Sequence, residues 1–257
     1  MSERVVLKTF TRRADFLIAG VQKAGTTSLD GYLRQHPQIS MARKKEVHFF
    51  DKAPPTGVDA LDWAIYNSNF RWPADPACRV GEATPIYLWW HGALERIWKY
   101  NPDIKLIILL RDPVERAWSQ YKMDVRLGRE TLNFEHALAR EMERSRRSLP
   151  LQDRERSLVD RGFYAWQVRR ALRIFPREQL HFIKSEKLSA DPSGVLQDVC
   201  DFLKCDAHRF DFSARMNSDP HQHSMPEDCR EKLQEIYRFD VQETRRLLNW
   251  NCDEWSV

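Results

Sequence analysis

Short apolar runs alternate with longer amphipathic segments along most of the 257-residue chain. The apolar runs predict strands at residues 15–19, 80–83, 104–110 and 180–184. Segments with apolar residues three or four positions apart predict helices at residues 27–35, 94–100, 114–127, 134–144, 164–175, 195–203 and 227–248. This alternation predicts an α/β fold in which helices cover both faces of a central parallel sheet.

The segment DFLIAGVQKAGTT, residues 15–27, joins the first predicted strand to the first helix through a glycine-spaced turn. Gly20 and Gly25 permit backbone conformations and close approaches that other residues do not, so the N–H groups of the turn can surround an anion. The positive end of the helix expected near Thr26 lies at the same place. The turn therefore predicts a phosphate site, to which Lys23 adds a positive charge.

The turn differs from the triphosphate-binding loop G-x-x-x-x-G-K-[ST], in which a lysine follows the second glycine. Here Thr26 occupies that position, and Lys23 lies inside the turn. This arrangement favours a single phosphate that carries a transferable group, and we expect no metal ion to be needed. Taken alone, the turn also fits a strand–turn–helix unit that binds no ligand.

Glu46 and His48 lie two positions apart in KKEVHFFD, residues 44–51. In an extended segment both side chains point to one face, where they would form an acid/base pair. Burial would raise the pKa of Glu46 and a nearby cation would lower it, so the sequence leaves the direction open. The alternative for this block alone is a surface ion pair of Glu46 with a neighbouring lysine.

A continuous apolar run at residues 106–110 predicts a strand buried on both faces. Arg111 follows at its carboxyl end, where open α/β sheets bind ligands. Asp112 and Pro113 suit the cap and first turn of a helix, and Ser119 lies about two turns further on. Arginine and serine both donate to phosphate, although an Arg–Asp surface pair would explain this stretch by itself.

Taken in this order, the motifs resemble the sulfotransferases that use 3′-phosphoadenosine 5′-phosphosulfate (PAPS), and among them the heparan-sulfate type. The resemblance covers about residues 15–210 and includes GEATPIYL, residues 81–88, and RGFY, residues 161–164. It implies a P-loop-like three-layer sandwich that forms one domain over residues 1–257. The C-terminal loop and helix, residues 211–257, would follow the core of that domain.

The resemblance also implies roles for individual residues. Glu46 would be the general base, His48 would orient the acceptor or share that task, and Lys23 would stabilise the leaving phosphate. One group of residues would hold the 5′-phosphosulfate, namely Lys23, Ala24, Gly25, Thr26, Thr27 and Ser28. A second group would hold the 3′-phosphate and the adenosine, namely Arg111, Ser119, Arg161, Gly162 and Tyr164.

The implied reaction is in-line transfer of a sulfuryl group to a hydroxyl of a small molecule, a lipid or a glycan. It releases 3′-phosphoadenosine 5′-phosphate (PAP). Ala83 stands where glycosaminoglycan enzymes of this type have a lysine, and the loop at residues 215–223 lacks their lysine-rich sequence. Both differences favour a small molecule or glycolipid over a long polyanion. A P-loop kinase-like enzyme and a non-catalytic nucleotide-binding protein remain the rival functions.

Net charge and cysteine content indicate the expected partners and cellular compartment. A net charge of +4 suits an anionic cofactor, and the aromatic residues follow no nucleic-acid-binding motif. The sequence has no apolar run near the ~20 residues that span a bilayer. The 5 cysteines lack C-x-x-C spacing, which fits reduced thiols in a cytoplasmic protein. His221 and His223 have no partners at metal-binding spacing, and the oligomeric state stays open.

Overall fold

The sheet contains five strands, all parallel, in the order β2-β3-β1-β4-β5. The structure is a computed structural model that describes residues 12–52, 60–149, 152–213 and 224–257. The strands are β1 Phe16–Gly20, β2 Ile39–Met41, β3 Arg79–Ala83, β4 Lys105–Leu110 and β5 Leu180–Lys184. The predicted α/β fold with a parallel sheet is confirmed.

Helices flank this sheet on the crossover connections between its parallel strands. Two short 3₁₀ helices, Asp160–Gly162 and Arg177–Gln179, precede α6 and β5. The α-helices in the described part of the chain are α1 Thr26–Leu33, α2 Ala60–Asn67, α3 Ala93–Tyr100, α4 Pro113–Arg126, α5 Phe134–Ser148, α6 Tyr164–Ile174, α7 Ser185–Ala190, α8 Pro192–Leu203 and α9 Glu227–Leu248.

Each strand and helix predicted from the hydrophobic pattern is present, with small shifts at most ends. Three elements were missed, namely β2, α2 and α7. The strand β2 has only 3 residues, which is too short to show alternation. The helix α7 has 6 residues and buries only Leu188, so it carries no helical periodicity.

The centre of the sheet places the carboxyl ends of β1 and β4 side by side. All of β1 is buried, and in β4 every residue after Lys105 is buried. The pairing continues past the strand end, because the N–H of Val21 donates to the carbonyl oxygen of Leu109 at 2.7 Å. The turn after β1 and the residue after β4 therefore lie next to each other.

The start of α4 is fixed by the residues that the sequence indicated. Asp112 is the N-cap, and its side chain accepts hydrogen bonds from the N–H groups of Val114 and Glu115. Pro113 occupies the first turn, where its missing N–H costs nothing. Arg111 thus stands directly between the end of β4 and a capped helix.

Candidate active site

The turn between β1 and α1 contains two residues with left-handed backbone conformations. Gly25 is the N-cap of α1 with φ of 90°, a left-handed conformation that favours glycine, and Lys23 has φ of 72°. The first N–H groups of an α-helix have no partner within the helix. In α1 these belong to Thr26, Thr27 and Ser28, so the predicted anion site has the expected local geometry.

A cavity of about 810 Å³ opens at the carboxyl ends of β1 and β4. Most of the residues predicted for the site line it, namely Lys23, Gly25, Thr26, Thr27, Ser28, Glu46, Arg111 and Ser119. Ala24 does not, because its side chain is fully buried and its N–H donates to the carbonyl oxygen of Val21 at 3.3 Å. The motifs that lie far apart in the sequence therefore share one cavity.

Arg111 contacts the turn between β1 and α1 directly. Its Nη1 donates to the carbonyl oxygen of Lys23 at 3.1 Å. On its other side, Nη2 lies 4.0 Å from a carboxylate oxygen of Glu115, which is paired with Arg230 at 2.8 Å. The guanidinium thus borders both the turn after β1 and the first turn of α4. Ser119 lies on the same helix, one turn after Glu115.

Tyr164 and Gly162 are buried and are not among the residues that line the cavity, and their contact with a nucleotide stays a prediction. Tyr164 is fully buried, and its hydroxyl donates to the carbonyl oxygen of Arg111 at 2.9 Å. A Cβ on Gly162 would come within 2.4 Å of the Tyr237 hydroxyl oxygen. Glycine is needed there for the close approach of α9, and Tyr164 supports Arg111 from behind.

Arg161 is also buried and is not among the residues that line the cavity, and its contact with the 3′-phosphate likewise stays a prediction. Its guanidinium donates to Oε1 of Gln22 and to the carbonyl oxygen of Arg154. It stacks on Trp89, with 4.5 Å between the guanidinium carbon and the ring centroid. Arg161 therefore contacts the turn after β1 through Gln22, which was not among the predicted site residues.

The backbone conformation at Glu46 and His48 differs from the predicted extended segment. Both have left-handed backbone conformations, with φ of 62° and 55°, so the prediction of an extended segment is wrong. Their side chains still lie together, with 3.3 Å between Nε2 of His48 and Oε2 of Glu46. The N–H of Glu46 donates to the carbonyl oxygen of Ala83 at 2.9 Å, which fixes the segment to the end of β3.

The charges around Glu46 settle the direction of its pKa shift. Nζ of Lys45 lies 2.7 Å from Oε1 of Glu46. The hydrogen bond from His48, together with Lys45, lowers the pKa of Glu46 to about 2. Its side chain is 39% exposed, so a ligand in the cavity can reach the ionised carboxylate.

His48 is held from the other side by Asp51, a residue that the sequence analysis missed. Nδ1 of His48 lies 2.8 Å from Oδ2 of Asp51, whose buried side chain also pairs with Arg154. The hydrogen bonds to Asp51 and Glu46 raise the pKa of His48 to about 9. At neutral pH the imidazole is therefore protonated, and Glu46 is the group of this pair that can accept a proton.

Further residues complete the cavity wall from elements that the sequence did not predict. Ser185, Glu186, Ser189 and Ala190 come from α7, and Glu254 comes from the segment after α9. Trp255 of that segment packs against Tyr164, with 6.0 Å between ring centroids. The other lining residues that were not predicted are Gln22, Lys45, Pro85, Asp112, Glu115 and Met123.

Two further predictions concern metal ions and the C-terminal loop. His221, His223 and the rest of the loop at residues 215–223 lie outside the described residues. Within the described ranges, no three His, Cys, Asp or Glu side chains are grouped so that they could hold a metal ion. None of the helices in those ranges is both long and apolar enough to cross a lipid bilayer.

Comparison with known proteins identifies the family. A family model described as a sulfotransferase domain matches residues 13–218. The chain belongs to the sulfotransferase family. The predicted resemblance is thereby confirmed, and the observed parallel sheet with its flanking helices is the fold of this family.

Animal proteins are among those that the chain is similar to. It is 35% identical over 193 residues to heparan sulfate glucosamine 3-O-sulfotransferase 3B1 of Mus musculus, covering 73% of this chain and 45% of the relative. It is 37% identical over 187 residues to heparan sulfate glucosamine 3-O-sulfotransferase 6 of Homo sapiens, covering 73% and 51%. The chain spans about half the length of these curated relatives.

A solved structure matches the chain along nearly its whole length. It is a crystal structure of a sulfotransferase from Alicyclobacillus acidocaldarius, 35% identical, which covers 96% of this chain and 100% of its own. The TM-score is 0.77. Unlike the curated relatives, this protein is of similar extent to the present chain.

Proposed function

We propose that the chain transfers a sulfuryl group from PAPS to an acceptor hydroxyl. The observation that carries the proposal is the shared cavity, in which a phosphate loop, an arginine–serine pair and an ionised glutamate face one another. Membership of the sulfotransferase family supports the same reaction class. None of these features alone specifies sulfuryl transfer, but together they supply every group that the reaction needs.

The proposed cofactor site follows from the positions of the donors. The N–H groups of Thr26, Thr27 and Ser28, with Lys23, would hold the 5′-phosphosulfate at the start of α1. Arg111 and Ser119 would hold the 3′-phosphate on the adjoining wall. Positive charge at the 5′-phosphate stabilises the charge that develops there when the bond between sulfur and the phosphate oxygen breaks.

Glu46 would serve as the general base in this reaction. The acceptor oxygen forms a bond to sulfur, its proton passes to Glu46, and PAP leaves with the electron pair of the broken S–O bond. The low pKa keeps Glu46 ionised at neutral pH, and the exposed fraction of its side chain leaves room for an acceptor. Protonated His48, held by Asp51, keeps the carboxylate oriented.

The charges along the cavity favour an acceptor that is not a polyanion. Of the basic residues in the wall, Lys23 and Arg111 are assigned to PAPS, and Lys45 is paired with Glu46. Among the residues that the structure describes, little positive charge is left there to balance sulfates on an acceptor. Within the described ranges, the acidic residues in the wall outnumber the basic ones and comprise Glu46, Asp112, Glu115, Glu186 and Glu254.

We therefore assign the acceptor to uncharged hydroxyl compounds such as small molecules, glycolipids or neutral saccharides. Met123 and Pro85 give the wall apolar surface that suits a sugar ring or a small hydrophobic body. Ala83 is fully buried, so the wall gains no cation at that position either. The names of the curated relatives refer to heparan sulfate, and this chain is proposed to differ from them in its acceptor.

The proposal is tested in two steps with the purified chain. Titration calorimetry with PAP should show binding, whereas ATP with Mg²⁺ should show none. Radiolabelled PAPS should then label at least one member of a panel of neutral saccharides, phenols and glycolipids, and heparan sulfate should be a poorer acceptor. Binding of ATP with Mg²⁺ but not of PAP would instead identify a kinase-like protein. PAP binding without transfer to any acceptor would point to a non-catalytic nucleotide-binding protein.

A further inference from the structure

A hydrogen bond behind the phosphate loop fixes the orientation of Gln22. Arg161 donates through Nη1 to Oε1 of Gln22, which lines the cavity directly before Lys23. A guanidinium has donors only, so the amide atom that faces it must be the oxygen. The amide nitrogen of Gln22, with its N–H donors, therefore points away from Arg161.

Arg161 is itself held firmly in place. Only 4% of the residue is exposed, and its second terminal nitrogen donates to the carbonyl oxygen of Arg154. Its guanidinium stacks on Trp89, and its carbonyl oxygen accepts a hydrogen bond from Gln167 at 3.1 Å. Because turning the guanidinium would break the hydrogen bond to Arg154 and the stacking on Trp89, the orientation of Gln22 is set before any ligand binds.

The donors of Gln22 have a defined place in the cavity. No residue in the described part of the chain accepts a hydrogen bond from Nε2 of Gln22. Gln22 lines the cavity together with Lys23, which faces the proposed leaving phosphate, and Glu46, which faces the proposed acceptor. The sulfuryl group must lie between those two reacting partners, and it carries only hydrogen-bond acceptors.

We propose that Arg161 is a positioning residue that holds the Gln22 amide so that its N–H groups donate to an oxygen of the sulfuryl group. This inference rests on the proposed function, because it requires PAPS in the cavity. The buried positive charge of Arg161 polarises the amide and strengthens its N–H donors. A neutral donor adds no cation to the wall, so Gln22 recognises the sulfuryl group without increasing the attraction for the phosphates of PAP.

PAPS and PAP provide the test, because they differ only in the sulfuryl group. Calorimetry should compare the affinities of both nucleotides for the wild type, Gln22→Met, Arg161→Met and the double variant. Methionine keeps an unbranched side chain of similar length but has no N–H donor. Gln22→Met should weaken PAPS binding by about 10-fold and leave PAP binding unchanged.

The variants of Arg161 separate positioning from mere support of the fold. Arg161→Met should lower the PAPS-to-PAP affinity ratio, and the double variant should have the same ratio as Gln22→Met, because Arg161 acts through Gln22. Arg161→Lys keeps one donor for Oε1 of Gln22, so it should restore part of the ratio.

Arg170 offers a matched control. It is also buried, with 8% exposed, and it donates to the carbonyl oxygens of Leu88 and Trp90. It stacks on Trp166 in the same manner, with 5.4 Å to the ring centroid. Arg170→Met removes a buried guanidinium that does not contact Gln22, so it should lower the melting temperature and leave the PAPS-to-PAP ratio as in the wild type.

Equal weakening of PAPS and PAP by Gln22→Met and Arg161→Met would overturn the inference, because it would show a general defect of the loop. An unchanged ratio in Gln22→Met would overturn it as well. If the wild type bound neither nucleotide, the proposed function and this inference would both fall. Binding of PAP by the wild type with an unchanged ratio in every variant would refute the inference alone.

Discussion

The guanidinium of Arg111 donates a hydrogen bond to the carbonyl oxygen of Lys23 at 3.1 Å. This hydrogen bond joins the residue after β4 to the turn after β1. The parallel pairing of the two strands makes the contact possible, because it brings their carboxyl ends to the same edge of the sheet. Two segments that we propose to bind phosphates, separated by 88 positions, thereby share one wall.

If Arg111 and Ser119 bind the 3′-phosphate, Ser119→Ala should lose affinity only for nucleotides that carry this phosphate. This variant leaves the contact between Arg111 and Lys23 intact and removes one hydroxyl donor from the wall. PAP affinity should fall by about threefold to tenfold, whereas the affinity for adenosine 5′-phosphate, which lacks the 3′-phosphate, should not change. Calorimetry with both nucleotides measures the difference, and equal losses would assign Ser119 to another part of the nucleotide.

The assignment of Glu46 as general base predicts that Glu46→Gln keeps PAP affinity and loses turnover. The amide preserves the shape of the side chain but cannot take the acceptor proton, so kcat should fall by about 100-fold to 10,000-fold. Turnover is measured with labelled PAPS and the best acceptor of the panel. Glu143→Gln, at an exposed ion pair on α5, is the matched control and should turn over at the wild-type rate. A wild-type rate for Glu46→Gln would exclude Glu46 as the base.

The raised pKa of His48 predicts a pH-dependent contribution to stability. Folding raises this pKa from 6.5 to about 9, so the stabilisation is fully present below pH 6.5 and is lost as the pH rises through about 9. The difference in melting temperature between the wild type and His48→Gln should therefore be largest near pH 6 and should shrink towards pH 9. A difference that stays constant over this range would show that His48 is not charged in the folded chain.

The close approach of Gly162 and Tyr237 predicts that Gly162→Ala lowers stability without changing nucleotide binding. The added methyl group would lie 2.4 Å from the Tyr237 hydroxyl oxygen, so the buried Tyr237 ring must shift. The free energy of unfolding should fall by about 1–3 kcal/mol, as measured by urea denaturation. PAP affinity should match the wild type. A loss of PAP affinity at unchanged stability would instead support the contact with the nucleotide that the sequence predicted for this glycine.

The sequence predicted those segments of the site that directly follow an apolar strand. The loop with Lys23 and the pair of Arg111 and Ser119 lie at strand ends that apolar runs reveal, so their place in the cavity could be inferred. Asp51 and Arg154 are separated by 103 positions, and no local pattern links them. The left-handed conformations of Glu46 and His48 were equally hidden, because side-chain alternation assumes extended backbone.

The sequence did not indicate how deeply RGFY, residues 161–164, is buried. Arginine and tyrosine suit a phosphate and an adenine, but the structure buries both behind the wall. Tyr164 supports Arg111, and Arg161 supports Gln22. Whether a polar side chain touches a ligand or supports one that does depends on packing between distant elements, and no motif records that packing.

A crystal structure of the chain with PAP tests the central claim most directly. We expect the 5′-phosphate on the N–H groups at the start of α1 beside Lys23, and the 3′-phosphate on Arg111 and Ser119. Glu46 should then face the end of the cavity where the sulfuryl group of PAPS would lie. A nucleotide bound outside this cavity, or with its phosphates away from both groups of donors, would contradict the account.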